Sequence, residues 1–109
     1  MIGRLARLLG TFAVATAASA QTAPAPHEIR AQFACAEGKS IDATFVNGTA
    51  SSVRLTLSDG RRLSLPQARS ASGARYANGD ESIVFWNKGD TAFIEEAGKT
   101  TYADCVTPR

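Results

Sequence analysis

The chain has 109 residues, with 12 Lys and Arg against 10 Asp and Glu, which gives a formal net charge of +2. This length supports one small domain and excludes a second sizeable hydrophobic core. A charge so close to zero also provides no strongly basic surface, which nucleic-acid binding requires for the release of counterions from phosphates.

The first 20 residues have the three parts of a secretory signal peptide. Arg4 and Arg7 form a basic start, the apolar run Leu8–Ala15 follows, and Ala18–Ala20 provides the small residues of a cleavage site. The pattern predicts cleavage after Ala20 and export to the periplasm. Removal of the two arginines leaves a mature chain with no net charge, so nucleic acid is not an expected partner.

A stable membrane anchor is not expected. The apolar stretch of residues 5–20 is shorter than the roughly 20 apolar residues that span a bilayer. A bacterial lipoprotein would carry Cys directly after the cleavage site, where this chain has Gln21. Residues 21–27 contain Pro24 and Pro26 and no apolar pattern, which predicts an extended leader before a folded domain over residues 28–109.

Two cysteines, Cys35 and Cys105, stand near the two ends of the predicted domain. Their separation is too large for a local metal-binding pair or a redox-active Cys-x-x-Cys motif. Because exported proteins favour oxidised cysteines, we expect a disulfide between them. In the loop-entropy model, closing a loop of about 70 residues restricts the unfolded chain by about 4.4 kcal/mol.

Beyond the leader, short stretches alternate apolar and polar residues between turn residues, which is typical of half-buried strands. Asn47-Gly48 predicts a tight hairpin between the second and third strands. The sequence shows no amphipathic helix. The predicted strands are Ile29–Ala36, Ser40–Val46, Val53–Leu57, a strand through Leu63 and Leu65 before Pro66, Ala74–Ala77, Ile83–Trp86, Thr91–Glu95 and Thr100–Cys105.

Eight short antiparallel strands are compatible with a two-sheet sandwich or with a closed up-and-down barrel. A disulfide between the first and last strands would draw the ends of the sheet together, and closure removes exposed strand edges. We therefore predict an all-β fold, a small eight-stranded antiparallel β-barrel closed by a disulfide. The residues predicted to fill it are Phe33, Ile41, Phe45, Val53, Leu55, Leu57, Leu63, Leu65, Val84 and Phe93.

Residue combinations typical of catalysis are scarce. The single histidine, His27, falls in the predicted leader, so no structured base is available for a Ser-His-Asp or Cys-His arrangement. Oxidised cysteines do not bind a metal. Acids such as Asp42, Asp59 and Glu96 fall at turns or on polar strand faces, where solvated carboxylates are expected. The sequence therefore predicts neither an enzyme nor a cofactor or metal site.

The most informative segments are Ser70–Tyr76 and Phe85–Asp90. Ser72 stands at a flexible Ser-Gly bend, and Lys88 stands at a Lys-Gly hairpin tip. Both are compatible with ordinary turn residues, with Phe85 and Trp86 filling the interior and capping its rim. A Ser-Lys hydrolase would need a buried lysine beside the serine, whereas a lysine at a glycine-flanked tip is expected to be solvated.

These segments, together with Ser58–Gly60, Ala92 and the two cysteines, resemble the membrane-bound lysozyme inhibitors of c-type lysozyme from the bacterial envelope. The resemblance covers about Phe33 to Cys105. It implies an eight-stranded antiparallel barrel whose two loops enter the active-site cleft of a c-type lysozyme.

The resemblance also assigns roles. It implies that Ser72 and Lys88 are the inhibitory residues, with Gly73 and Gly89 in their loops. Tyr76 and Trp86 would support these loops, and Arg75 would contribute at the rim. The implied partner is therefore a c-type lysozyme, bound through Ser72, Gly73, Arg75, Tyr76, Trp86, Lys88 and Gly89.

A small-molecule or glycan-binding envelope protein stays open as an alternative function, because eight-stranded barrels can hold a small ligand.

Two further features bear on the lysozyme interpretation. The connection Asn78–Ser82 is longer than the family resemblance leads us to expect and would reposition one loop relative to the other. A local acidic patch would attract a basic lysozyme; its predicted members are Asp80, Glu81, Asp90, Glu95 and Glu96. The sequence predicts no oligomeric state.

Overall fold

A computed structural model describes residues 27–108. The predicted signal peptide, its cleavage after Ala20, the residue Gln21 and the leader up to Pro26 lie outside the described residues. The strands are β1 (His27–Ala34), β2 (Ser40–Asn47), β3 (Ser52–Leu57), β4 (Arg62–Ala68), β5 (Ala74–Ala77), β6 (Ile83–Lys88), β7 (Thr91–Glu96) and β8 (Lys99–Val106), with a short 3-10 helix at Ala36–Gly38.

The strands form a closed barrel in which each strand pairs antiparallel with the next. Ala34 of β1 opposite Val106 of β8 completes the circuit. A disulfide joins Cys35 to Cys105 beside this seam. The predicted eight-stranded barrel and its disulfide are therefore confirmed.

Two local predictions are wrong. His27 does not belong to a leader but is the first residue of β1, where it pairs with Asn47. This pairing also holds Asn47 in β2, so Asn47-Gly48 does not form a two-residue hairpin. Residues 48–51 instead make a longer connection between Val46 and its partner Ser52.

The interior is filled by side chains from all eight strands. Rings of Phe33, Phe45 and Tyr76 lie around the fully buried Phe85, with centroids 6.1 Å from its own. The rest of the core consists mainly of aliphatic residues, and Phe45 and Leu63 are partly buried against it. The buried core residues are Phe33, Ile41, Ala43, Val53, Leu55, Leu57, Leu65, Tyr76, Phe85, Ala92, Ile94, Tyr102 and Cys105.

Phe93 does not belong to this core, contrary to prediction, whereas Val84 is buried as predicted. In the β6–β7 ladder, Phe85 pairs with Ile94, whereas Trp86 pairs with Phe93. Because side chains alternate between the faces of a strand, burial of the first pair places the second on the outer wall. Trp86 stacks with Phe93 on the outer wall, so the prediction that Trp86 caps the interior is also wrong.

Alternate connections of an up-and-down barrel lie at the same end. Residues 48–51, 69–73 and 89–90 connect strands at one end, here termed the Lys88 end. Residues 35–39, 58–61, 78–82 and 97–98 connect them at the other, the Arg61 end. Within residues 27–108, no helix has the length and apolar character needed to cross a bilayer.

Candidate functional site

The Lys88 hairpin is a tight two-residue turn between β6 and β7. Lys88 pairs with Thr91, which leaves Gly89 and Asp90 as the turn, and Gly89 has a φ of 60° as such turns require at their first central residue. The Asn87 side-chain amide donates to the carbonyls of Gly89 and Thr91, each at 3.1 Å, and the Thr91 hydroxyl donates to the Lys88 carbonyl at 2.9 Å. Side chains beneath the tip therefore hold the Lys88 backbone in one geometry.

The Ser72 loop is stabilised from within. The Ser70 hydroxyl donates to the Ser72 carbonyl at 2.5 Å and accepts from the Ser72 N–H at 3.2 Å. This local bonding leaves the Ser72 side chain exposed to solvent. The bend thus presents a hydroxyl on a loop whose backbone is already restrained.

Gly73 brings the two loops into contact. Its φ of 69° lies in the left-handed region, and a Cβ added to it would stand 2.9 Å from the Asn87 carbonyl oxygen and 3.4 Å from the Lys88 Cβ. Real Cβ atoms do not approach backbone oxygens so closely. Glycine is therefore required here for both its conformation and its missing side chain.

Ser72 and Lys88 line the same depression at this end of the barrel, with a volume of about 280 Å³. Trp86 and Phe93 contribute aromatic surface to it, and Thr91 and Ala92 complete the lining. The two residues singled out in the sequence, which are 16 positions apart, are thus neighbours on one surface.

Phe93 is a member of this site that the sequence interpretation missed. Its ring stacks with that of Trp86, with centroids 6.1 Å apart and planes at 18°. The Arg75 guanidinium lies 5.7 Å from the centroid of the Trp86 ring. Outward-facing aromatic residues on neighbouring strands were the available signal, and the three consecutive apolar residues Ala92–Ile94 obscured it.

Arg75 also connects this wall to the long β5–β6 connection. Its Nη2 donates to the Glu81 carboxylate at 2.5 Å, and its side chain is only 17% exposed. Residues 78–82 themselves lie at the Arg61 end, away from the Ser72 and Lys88 tips. Residues 78–82 therefore do not lie between the two loops at the Lys88 end.

Tyr76 is a buried supporting residue. It is 4% exposed, and its ring contacts those of Phe45 and Phe85 with centroids 5.9 Å and 6.1 Å away. Burial raises the pKa of the Tyr76 hydroxyl. Tyr76 therefore anchors β5, the strand that follows the Ser72 loop, and does not belong to the exposed surface.

The charges of the Lys88 end differ from the expected pattern. Among residues 27–108, Lys88 has no ion pair within 4.0 Å. The predicted acidic patch is not gathered in one place, because Asp90 lies in the Lys88 turn whereas Asp80, Glu81, Glu95 and Glu96 lie toward the Arg61 end. Glu81 and Glu96 are also neutralised by arginines. In this part of the chain, no cluster of three or more His, Cys, Asp or Glu residues is placed to hold a metal ion.

The fold and this surface define a class: a small disulfide-linked barrel with a packed interior, whose distinctive groups lie on two adjoining loops at one end. The family model described as membrane-bound lysozyme-inhibitor of c-type lysozyme matches residues 33–102, and the chain belongs to this family.

Individual proteins agree with this assignment. A Yersinia enterocolitica protein named membrane-bound lysozyme inhibitor of C-type lysozyme is 51% identical over 47 residues, which are 43% of this chain and 38% of that protein. The matched stretch thus spans less than half of that relative. The crystal structure of Pseudomonas aeruginosa MliC in complex with hen egg white lysozyme matches with a TM-score of 0.65 at 23% identity, covering 90% of this chain and 100% of the other, a likeness that supports the fold.

Proposed function

We propose that this chain is a proteinaceous inhibitor of c-type lysozyme that places Ser72 and Lys88 in the active-site cleft of the enzyme. The observation that carries this proposal is the shared depression lined by Ser72 and Lys88. Membership of the lysozyme-inhibitor family supports the identity of the partner. The chain itself would perform no catalysis.

The chemistry follows from the target. Lysozyme cleaves glycan with one carboxyl group that acts as a general acid and a second that stays ionised, and retaining enzymes hold such groups roughly 5–5.5 Å apart. The Lys88 ammonium group would pair with these carboxylates, while the Ser72 hydroxyl supplies a hydrogen bond. Insertion of both loops would also exclude substrate and water from the cleft.

The structure reduces the ordering cost of such binding. Each side chain that must be immobilised on association costs roughly 0.5–1.5 kcal/mol. Here the hydrogen bonds of Asn87 and Ser70 restrain the two loop backbones before any partner arrives. The close approach of Gly73 to Asn87 fixes the spacing between the loops.

The remaining predicted site residues take different roles. Arg75 and Trp86 lie on the wall beside the tips, where they would contact the rim of the cleft. Gly89 provides the positive φ of the Lys88 turn. Tyr76 would act through the barrel interior as a support for the Ser72 loop. A ligand inside the barrel, as the small-molecule or glycan-binding alternative requires, would compete with the packed rings around Phe85.

The proposed location is the periplasm, reached through a signal peptide of residues 1–20 that is cleaved after Ala20. Gln21 would then begin a short leader that ends before His27, and the inhibitor domain would start with β1 at His27. Because Gln21 cannot accept a lipoprotein anchor, we propose a form that is not tethered to the membrane. Mass spectrometry of the exported protein tests this directly, since a mass that includes a lipid would contradict it.

The functional test is a turbidity assay of peptidoglycan lysis by a c-type lysozyme, run beside a g-type enzyme. We expect the mature protein to slow the first enzyme only. The Lys88→Ala variant should lose about 2–5 kcal/mol of binding free energy, because the carboxylates of lysozyme would be left desolvated and unpaired. The control Lys99→Ala removes an exposed lysine at the Arg61 end and should inhibit normally. Equal inhibition constants for the two variants would exclude the proposed role of Lys88.

A further inference from the structure

The barrel seam leaves one strand edge open. β1 pairs with β2 along all eight of its residues, but within residues 27–108 its other edge pairs with β8 only at Ala34. Beyond Val106, the Thr107 N–H donates to the Asp90 carbonyl at 3.0 Å, and Thr107 and Pro108 line the same depression as Ala31 and Gln32. Among residues 27–108, closure through Ala34 therefore leaves the His27–Phe33 edge without a paired strand, contrary to the expectation that closure removes strand edges.

This edge carries an exposed apolar side chain. Ile29 is 47% exposed, whereas most large apolar side chains of the described strands are buried. Its two neighbours in β1, Glu28 and Arg30, are charged and more than half exposed. An exposed strand edge with unpaired backbone groups is a site for pairing with another strand.

The sequence of this edge is complementary to itself. In an antiparallel pair of two β1 strands with Ile29 opposite its own copy, Glu28 of each strand stands opposite Arg30 of the other. The two isoleucines meet on one face of the paired strands. On the other face, Glu28 of each strand forms an ion pair with Arg30 of the other. Only this register places both charged residues opposite a partner of opposite sign.

Charges already present on the neighbouring strands extend this complementarity. Glu28 pairs with Arg54 at 3.3 Å, and Arg30 pairs with Asp42 at 3.9 Å. In the self-paired arrangement, the charges would therefore alternate in sign from Arg54 through Glu28 to Arg30 and Asp42 of the second copy. Such networks stabilise an association more than isolated surface ion pairs do.

We infer that the mature chain forms a two-fold symmetric dimer by antiparallel pairing of β1, with Ile29 on the symmetry axis. Closed two-fold dimers use the same patch on both subunits, as this edge requires. The dimer is independent of lysozyme, so its test does not depend on the proposed inhibitory function.

Charge reversal with mixing provides the test, with sedimentation equilibrium on the mature protein as the measurement. Glu28→Arg and Arg30→Glu should each weaken the dimer about tenfold or more, because each places like charges opposite one another twice. An equimolar mixture of the two variants should associate again as a heterodimer, since its facing charges are opposite in sign. The control Arg62→Glu, an exposed reversal on β4, should dimerise like the wild type.

Mixing also distinguishes lost pairing from lost folding, because two misfolded variants would not associate when they are combined. A wild-type chain that stays monomeric at millimolar concentration would overturn the inference. A dimer that persists unchanged in both variants would also overturn it, since association would then use another surface.

Discussion

The two ends of the barrel are stabilised by different interactions. At the Arg61 end, the Arg61 guanidinium donates to both oxygens of Glu96, at 2.8 Å and 3.0 Å, and to Asp59 at 2.9 Å. The Thr101 hydroxyl donates to Glu96 at 2.6 Å, and the Lys39 ammonium donates to the Thr101 carbonyl at 2.7 Å. This network joins the β1–β2 connection, the β3–β4 turn and the strands β7 and β8.

The hydrogen bonds of this network shift the pKa values of its charged side chains. Hydrogen bonding to Arg61, and then to Thr101, lowers the pKa of Glu96. The pKa of Asp59 is also lowered, chiefly by the backbone N–H of Arg61. The pKa of Arg61 is raised, chiefly by Glu96. All three groups are therefore held in their charged forms.

The Lys88 end relies on neutral interactions instead. Asn87 and Ser70 restrain the loops through dipoles, and Gly73 brings them together through packing. Lys88 has no ion pair among the described residues. Charges paired within the barrel contribute to stability, whereas a cation on a stiff tip, without an ion pair among the described residues, is available to a partner.

The largest expected effect is the loss of barrel stability when the disulfide is removed. Replacement of both cysteines, Cys35→Ala with Cys105→Ala, should lower the free energy of unfolding by about 4 kcal/mol because the unfolded chain is released from a long loop. Urea denaturation measures this change. A loss below about 1 kcal/mol would mean that the β1–β8 seam does not need the disulfide.

Gly73→Ala tests whether the contact between the Ser72 loop and the Lys88 hairpin is needed for inhibition. Gly98 also has a positive φ, but a Cβ there would contact nothing, so Gly98→Ala shares the backbone strain without the clash. Gly98→Ala should lose about 1–2 kcal/mol of stability from backbone strain, and Gly73→Ala should lose more because of the clash. Only Gly73→Ala should weaken lysozyme inhibition, about tenfold or more, because the Lys88 hairpin must shift. Equal inhibition by the two variants would show that loop contact is not required.

Ser72→Ala should have a smaller effect than Lys88→Ala. Loss of one neutral hydrogen bond in a desolvated cleft is expected to cost about 1–2 kcal/mol of binding free energy. Ser64→Ala removes an exposed hydroxyl from β4 and serves as the matched control in the same turbidity assay. Indistinguishable inhibition by these two serine variants would remove Ser72 from the site.

Glu96→Gln should produce the smallest effect, confined to stability at the Arg61 end. Because the folded-state pKa of Glu96 is lowered, its pairing stabilises the barrel above the unfolded pKa, and this contribution is lost as pH falls through the folded pKa. The variant should be about 1 kcal/mol less stable than wild type at neutral pH, and the two should converge in acid. A constant difference from neutral to acidic pH would contradict the assigned ionisation.

Much of this architecture can be predicted from the sequence, because alternating apolar residues mark strands whose faces differ in burial. The prediction failed where that alternation is ambiguous. Ala92–Ile94 are three consecutive apolar residues, and only the pairing of Phe85 with Ile94 decides that Phe93 faces outward. Strand register depends on contacts between strands, so the open edge of β1 was also beyond prediction.

For the candidate site as well, some features are recognisable from the sequence and others depend on how the strands are placed. Ser72 and Lys88 were found through the family resemblance of short motifs, and Gly73 was recognisable as a bend. The contact of Gly73 with the Asn87 carbonyl requires two strands to be placed next to each other, and no local pattern encodes that distance. The split of the predicted acidic patch has the same cause, since chain position does not reveal the end of the barrel.

The most direct test of the account uses Trp86, the single tryptophan of the chain, which lines the same depression as Ser72 and Lys88. The mature protein can be labelled with 5-fluorotryptophan and titrated with unlabelled c-type lysozyme, while the ¹⁹F signal is recorded. Binding through the Lys88 end should shift this signal, and the signal should return to its free position when a chitin oligosaccharide occupies the lysozyme cleft. Formation of a stable complex with an unchanged Trp86 signal would contradict binding at the Lys88 end.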